Sequence, residues 1–252
     1  MSGHNKWANI KHRKGAQDAK RSKAFTKIIR EITIAARDGG GDADANPRLR
    51  SAVDKAKAAN MPKDKIETAI KKGTGELEGE ELTELLYEGY GPAGVALLIS
   101  VVTDNKNRSA QEIRHLLSKG NGSLAEAGAV SWNFERKGLI KVPKEEVSDM
   151  EEFMMQAIEA GAEDITEDTD PIEITVEPDL TSDVREALKA DGYSIEDELT
   201  YNPKTTVNIS GNDAEKLLKL LDNLEDNDDV QQVFGNYDID DAELEELSKK
   251  LG

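Results

Sequence analysis

Three observations predict an α+β multidomain protein: a small N-terminal helical domain followed by two ferredoxin-like α/β domains, one inserted into the other. Up to about residue 76 apolar residues recur at three- and four-residue steps, whereas beyond residue 80 short extended runs alternate with helical ones. The later elements spell βαββαβ twice, one copy interrupting the other. Charge changes sign at the same boundary. Residues 1–76 hold 18 Lys+Arg against 9 Asp+Glu, net +9, and the rest 15 against 42, net -27.

The first helix is expected from about Asp18. Phe25, Ile28, Ile29, Ile32 and Ala36 share one side, and Lys20, Lys23, Lys27, Arg30 and Arg37 the other, so one face packs and the opposite one is basic. The glycines of DGGGDADANP stop it. Asn46 and Pro47 then form an N-cap and first-turn pair for a second helix reaching about Ala59. Met61-Pro62 breaks that helix, and Lys63 to Lys72 forms a third, ended by Gly73. GTGELEGEE reads as a linker.

Beyond it, LLYEGYG and VALLISVVTD read as strands joined by a Gly-Pro turn, NRSAQEIRHLLSKG as a helix, and AVSWNF as another strand. GLIKVP, EEFMMQAIEAGA, DIT, IEITVE, TSDVREALKADG and YSIEDELTY supply the inserted βαββαβ unit. TTVNIS, DAEKLLKLLDNLED and VQQVFGNY complete the outer one. The expected boundaries are a basic helical domain with a flexible N-terminal arm (1–76), one α/β domain (80–137 with 203–238), the inserted domain (138–202) and an acidic C-terminal tail (239–252).

The 252 residues include no cysteine, which excludes disulfides, a thiolate nucleophile and the common zinc sites. No apolar run approaches the roughly 18 residues of a membrane span, and no apolar stretch follows the basic N-terminus as in a secretory signal. A soluble cytoplasmic protein without a membrane partner is expected. GYGPAG, Gly89 to Gly94, fits the spacing of a dinucleotide fingerprint, but a strand follows it where the fingerprint needs a helix; it reads as a hairpin turn. His4 and His12 lie among lysines and arginines that repel a dication, and EDITEDTD lacks the spacing and central glycine of a calcium loop. No catalytic residue, cofactor or metal is therefore expected, and the protein reads as a non-enzyme.

The opening residues read differently. His4, Lys6, Trp7, Lys11, His12, Arg13 and Lys14 combine phosphate-binding charge, hydrogen-bonding rings and an aromatic fit for stacking. Lys20, Lys23, Lys27 and Arg30 extend the basic surface, with Arg48, Arg50, Arg108, Arg114 and Lys119 as further candidates. The same residues also fit a solvated basic tail with Trp7 tucked onto the helical domain. The glycine-bearing loop from Ser118 to Gly128 is long for its place and reads as a mobile contact loop.

GHNKWANIKHRKGAQDAKRSKAFTK, KAANMPKDKIETAIKKGTGE, YEGYGPAGVALL, TDNKNRSAQEIRH and GAVSWNFERKG, in this order, resemble the YebC/PmpR family, which includes a mitochondrial translational activator of cytochrome oxidase. The resemblance runs to about Tyr237. It implies three domains and a cytoplasmic, non-enzymatic regulator of gene expression: a DNA-binding transcriptional regulator or, as in other members, a translation factor that binds ribosomal RNA and relieves stalling on the ribosome. It puts weight on His4, Lys6, Trp7, Ile10, Lys11, His12, Arg13 and Lys14, with Asn5 where many members have serine. GNGSLAEAGAV departs from the commoner GGNLGETGSV pattern. A protein-interaction scaffold working through the acidic body is the alternative from another class.

Overall fold

The computed structural model describes residues 3–13 and 18–251, with the side chains of 11–13 and 18–21 outside that description. Helix α1 spans Gly3–Arg13. Helix α2, Asp18–Gly39, carries the apolar stripe expected of it and buries Ile32, Ala35 and Ala36. The Asn46 side chain accepts from the Leu49 N–H (3.1 Å) and opens α3, Pro47–Ala58, while its amide donates to the Ala35 carbonyl (2.7 Å), tying the new helix to α2. Helix α4 runs Lys63–Thr74. It passes through Gly73, expected as its end, because that glycine is where α4 crosses α2: a Cβ there would sit 2.8 Å from the Ala36 Cβ. The stop falls at Gly75, in the left-handed conformation (φ 81°). Leu49, Ala52, Ala56, Met61, Ile66 and Ala69 complete this small core.

The chain then enters a hairpin, β1 (Thr83–Tyr90) and β2 (Ala96–Thr103), around the Pro92–Gly94 turn. Helix α5 (Lys106–Lys119), N-capped by Asn105, and the two-residue strand β3 (Ser123–Leu124) follow. Next come β4 (Phe134–Val142), α6 (Met150–Ala160), β5 (Ala162–Thr166), β6 (Ile172–Val176), α7 (Thr181–Ala190) and β7 (Glu196–Pro203). The chain closes with β8 (Val207–Asn208), α8 (Gly211–Glu225), β9 (Val230–Gly235), β10 (Tyr237–Asp238) and α9 (Asp241–Leu251).

These elements form two compact units, residues 135–202 and residues 2–134 with 203–252. In the first, the strand order β5-β6-β4-β7 is that of a ferredoxin-like βαββαβ sheet, and Ile140, Val142, Phe153, Ile172, Ile174, Val184 and Leu188 fill the space between sheet and helices. In the second, the sheet runs β3-β1-β2-β9 with antiparallel pairing throughout. Leu97, Ile99 and Val101 face α5 and α8 and meet Ile113, Leu117, Leu217 and Leu221. On the other face Val102 packs with Ile34 of α2 and Leu82.

Four segments differ from expectation. Residues 3–13, expected in a flexible arm, form helix α1, and TTVNIS yields only the two-residue β8, paired in parallel with β10 outside the main sheet, so the outer unit does not build the second βαββαβ sheet. AVSWNF is not a strand: Ser131–Asn133 form a 3-10 turn, and β4 starts only at Phe134. The segment 239–252 is not a tail. Leu244 and Leu247 of α9 are buried in the same core as Tyr237 and Ile239, which its Asp/Glu-rich composition masks. No helix among the described residues is long and apolar enough to cross a membrane.

Candidate nucleic-acid interface

Helix α1 is docked on the α/β core. Gly3 lies against Tyr237, where a Cβ would come within 2.8 Å of the ring. His4 packs edge-on against Phe234 (centroids 5.4 Å apart) and places Nδ1 3.3 Å from the Gly235 carbonyl, a contact that requires a proton on that nitrogen. Trp7, only 4% exposed, joins the core shared by Tyr237 and Leu244, and Ile10 packs beside it. Lys6 pairs with Asp241 at 2.8 Å. His4 and Trp7, expected on a flexible arm, are therefore buried and offer no ring to a ligand in this conformation. The anchor is the α/β body, not the helical domain. The signal was legible: positions 4, 7 and 10 share one helical face. Lys11, His12, Arg13, Lys14 and Lys20 lie outside the described side chains.

Among the described side chains, Lys23, Lys27 and Arg30 of the basic face of α2 are likewise engaged within the chain. Lys27 donates to the Glu225 carbonyl (2.5 Å), and Lys23 to the Asp226 carbonyl (3.1 Å) and carboxylate (3.3 Å). Both carbonyls sit at the C-terminal end of α8, where unpaired acceptors and the helix dipole attract cations. Arg30 donates to the Val102 carbonyl (3.0 Å), the Asp228 carbonyl (2.7 Å) and the Asp229 carboxylate (2.6 Å). Asp229, almost fully buried, also accepts from Arg108 (3.0 Å), Ser109 (2.6 Å) and Thr103 (3.2 Å). Burial alone would raise its pKa; the donors, Ser109, Arg30 and Arg108, outweigh burial and hold it below the ordinary value. The cleft around these groups has a volume of 430 Å³ and mixes Lys23, Arg30 and Arg108 with Glu112, Asp226 and Asp229, so it presents no single-sign surface to a polyanion.

Other candidates divide the same way. Arg48 is held by Glu31 (2.7 Å) and Glu84 (2.9 Å), and Arg50 by the Ala43 and Asp44 carbonyls (3.0 and 2.7 Å). Arg108 also pairs with Asp104 at 2.6 Å. Arg114 and Lys119 are exposed on α5. Exposed charge in the helical domain lies instead on α4 and the end of α3: Lys57, Lys63, Lys65, Lys71 and Lys72 all face solvent. Lys57 and Lys63 make long surface pairs, 3.5 Å, to Asp54 and Glu67. Helices α3 and α4 are joined by four residues, Ala59 to Pro62, the connection length of a helix-turn-helix pair.

The loop after α5 is pinned. Gly122 donates to Leu117 (2.7 Å), Ala125 to the Glu88 carbonyl (2.8 Å), and the Glu88 carboxylate accepts three further backbone N–H groups, from Gly128, Val130 and Ser131 (2.7, 2.7 and 2.9 Å). Burial opposes ionisation of Glu88, and these donors overcome it, leaving its pKa below the usual value.

Residues 5–76 match the family description "TACO1/YebC protein N-terminal domain", and residues 82–237 match "TACO1/YebC second and third domain". Relatives named "Probable transcriptional regulatory protein" include those of Petrotoga mobilis (71% identical, all of both chains covered) and Fervidobacterium nodosum (64%, all of this chain and 99% of the relative). The crystal structure of a conserved hypothetical protein from Aquifex aeolicus superimposes with a TM-score of 0.83 at 48% identity, covering 88% of this chain and 92% of the other.

Proposed function

We propose that this chain, which belongs to the TACO1/YebC family, is a non-enzymatic, cytoplasmic regulator of gene expression whose helical domain grips the phosphate backbone of a nucleic acid. One observation carries the reading: a domain of net charge +9 is attached to a remainder of net -27, and its α4 lysines point to solvent while Lys23 and Lys27 of α2 are held by the body. The acidic remainder repels phosphate and so places the backbone-gripping contacts at the basic end. The names of the relatives support a transcriptional role. The α3–turn–α4 pair supports contact with duplex DNA, because Lys63 and Lys65 stand at the start of the second helix, the part such pairs direct at a groove.

A second reading, a translation factor on ribosomal RNA, is favoured by the exposed tryptophan at position 132, since paired bases of duplex DNA offer no face to stack on. Crosslinking in cells followed by sequencing of the bound nucleic acid separates the two. Enrichment of DNA upstream of genes supports transcriptional regulation, enrichment of ribosomal RNA supports the second reading, and recovery of neither contradicts both.

A further inference from the structure

Among the described residues, packing leaves two large aromatic side chains exposed, Trp132 and Tyr90. Trp132 is 67% exposed, yet every neighbour in sequence is fixed. Val130 is buried and donates its N–H to Glu88. Asn133 is buried too: its side-chain oxygen accepts from the Thr205 N–H (3.0 Å) and hydroxyl (2.8 Å), its amide donates to the Thr205 carbonyl (3.0 Å), and its own carbonyl accepts from the Lys204 N–H (2.7 Å). The indole N–H donates to the Ala129 carbonyl at 2.9 Å. The hydroxyl of Tyr90, 37% exposed at the end of β1, donates to that same carbonyl at 3.4 Å. Two exposed rings thus converge on one oxygen, held by a loop that the buried Glu88 carboxylate pins in three places.

We infer that Trp132 and Tyr90 form a stacking platform for an unstacked nucleobase of single-stranded RNA. This rests on the nucleic-acid reading above and names a second contact point beyond the basic helices. Both polar tips are already satisfied within the chain, so the rings present faces rather than hydrogen bonds; stacking of that kind tolerates any base. A Trp fixed at its base loses little side-chain entropy on binding. The Glu88 carboxylate beneath the loop is buried and accepts from three loop N–H groups rather than facing the rings' solvent side, and the exposed Lys204 is bonded through its backbone to the residue after Trp132.

The two tryptophans make the test direct, because one is buried and the other exposed. In the Trp7→Phe variant, fluorescence reports on Trp132 alone. Addition of a 12-nucleotide single-stranded RNA of mixed A and U should quench it, whereas the same sequence as a duplex should not. Trp132→Ala should weaken binding of the single strand between about 5- and 150-fold, and Trp132→Phe should restore most of it. A solvent-facing ring contributes little to stability, so an unchanged melting temperature for Trp132→Ala confirms that the loss is not unfolding.

If Trp132→Ala binds the single strand as tightly as the unaltered protein, the platform is wrong while the nucleic-acid reading stands. Equal quenching by duplex and single strand, or a concentration-dependent blue shift without RNA from self-association, also overturns it. If the unaltered protein binds no nucleic acid of any kind, both readings fall.

Discussion

A carboxylate enclosed by two guanidinium groups and two hydroxyls favours folding only while it is ionised, and Asp229 is in that position. Its pKa in the folded chain lies below the ordinary 3.8, so the stabilisation is complete above that value and disappears as the pH falls through the lowered one. Asp229→Asn keeps the shape but removes the charge, and should cost about 2 kcal/mol at pH 7, the scale of hydrogen bonds to charged groups. Urea denaturation of both proteins at pH 7, 5 and 3 checks this: the gap should hold between pH 7 and 5 and shrink by pH 3, and a gap independent of pH would contradict it. The charges of Arg30 and Arg108 were legible as residues but not their destination. A basic helix face reads the same whether it meets a phosphate or the carbonyls ending another helix. The docking of His4 and Trp7 shows in the sequence only as three positions, 4, 7 and 10, on one face of a short helix otherwise crowded with basic residues.

At the scale of the element, α1 is part of the body's core even though its sequence is that of a basic segment. Trp7→Ala should therefore destabilise the protein by about 3–5 kcal/mol, as removal of a buried Trp does, and thermal unfolding would detect it. Deleting residues 1–17 takes the same side chain away, so any loss of binding in that variant mixes unfolding with lost charge. A loss below about 1 kcal/mol in Trp7→Ala would show that the indole is not a core residue. Elsewhere the elements were readable where local chemistry acts alone: the Asn46–Pro47 start of α3, the hairpin around Pro92, and the βαββαβ of residues 135–202. They were not readable where a distant group decides. AVSWNF has the residues of a strand, but the Glu88 carboxylate, forty-odd positions upstream, gathers the Val130 and Ser131 N–H groups into a turn. TTVNIS contributes only Val207–Asn208, paired in parallel with β10 rather than added to the main sheet.

For the whole molecule, the division of charge was legible at once and remains the basis of the functional reading, but the structure redistributes which cations are available. Lys23, Lys27 and Arg30 of α2 hold the helical domain on the end of α8, and the lysines of α4 face outward. The central claim is that the outward set meets phosphate. Each such contact releases counterions, so the logarithm of the association constant falls linearly with the logarithm of salt concentration, by about 0.9 per phosphate neutralised on duplex DNA. The most direct measurement is this slope, from fluorescence anisotropy on labelled duplex DNA and on a ribosomal RNA fragment. It is taken for the unaltered protein, for Lys63, Lys65, Lys71 and Lys72 replaced together by Gln, and for Lys23 and Lys27 replaced by Gln. The α4 variant should lose affinity and flatten the slope by up to about 0.9 per lysine on DNA and less on RNA, with its melting temperature kept, whereas the α2 variant should melt earlier and keep its slope. An unchanged slope in the α4 variant on both nucleic acids would contradict the account.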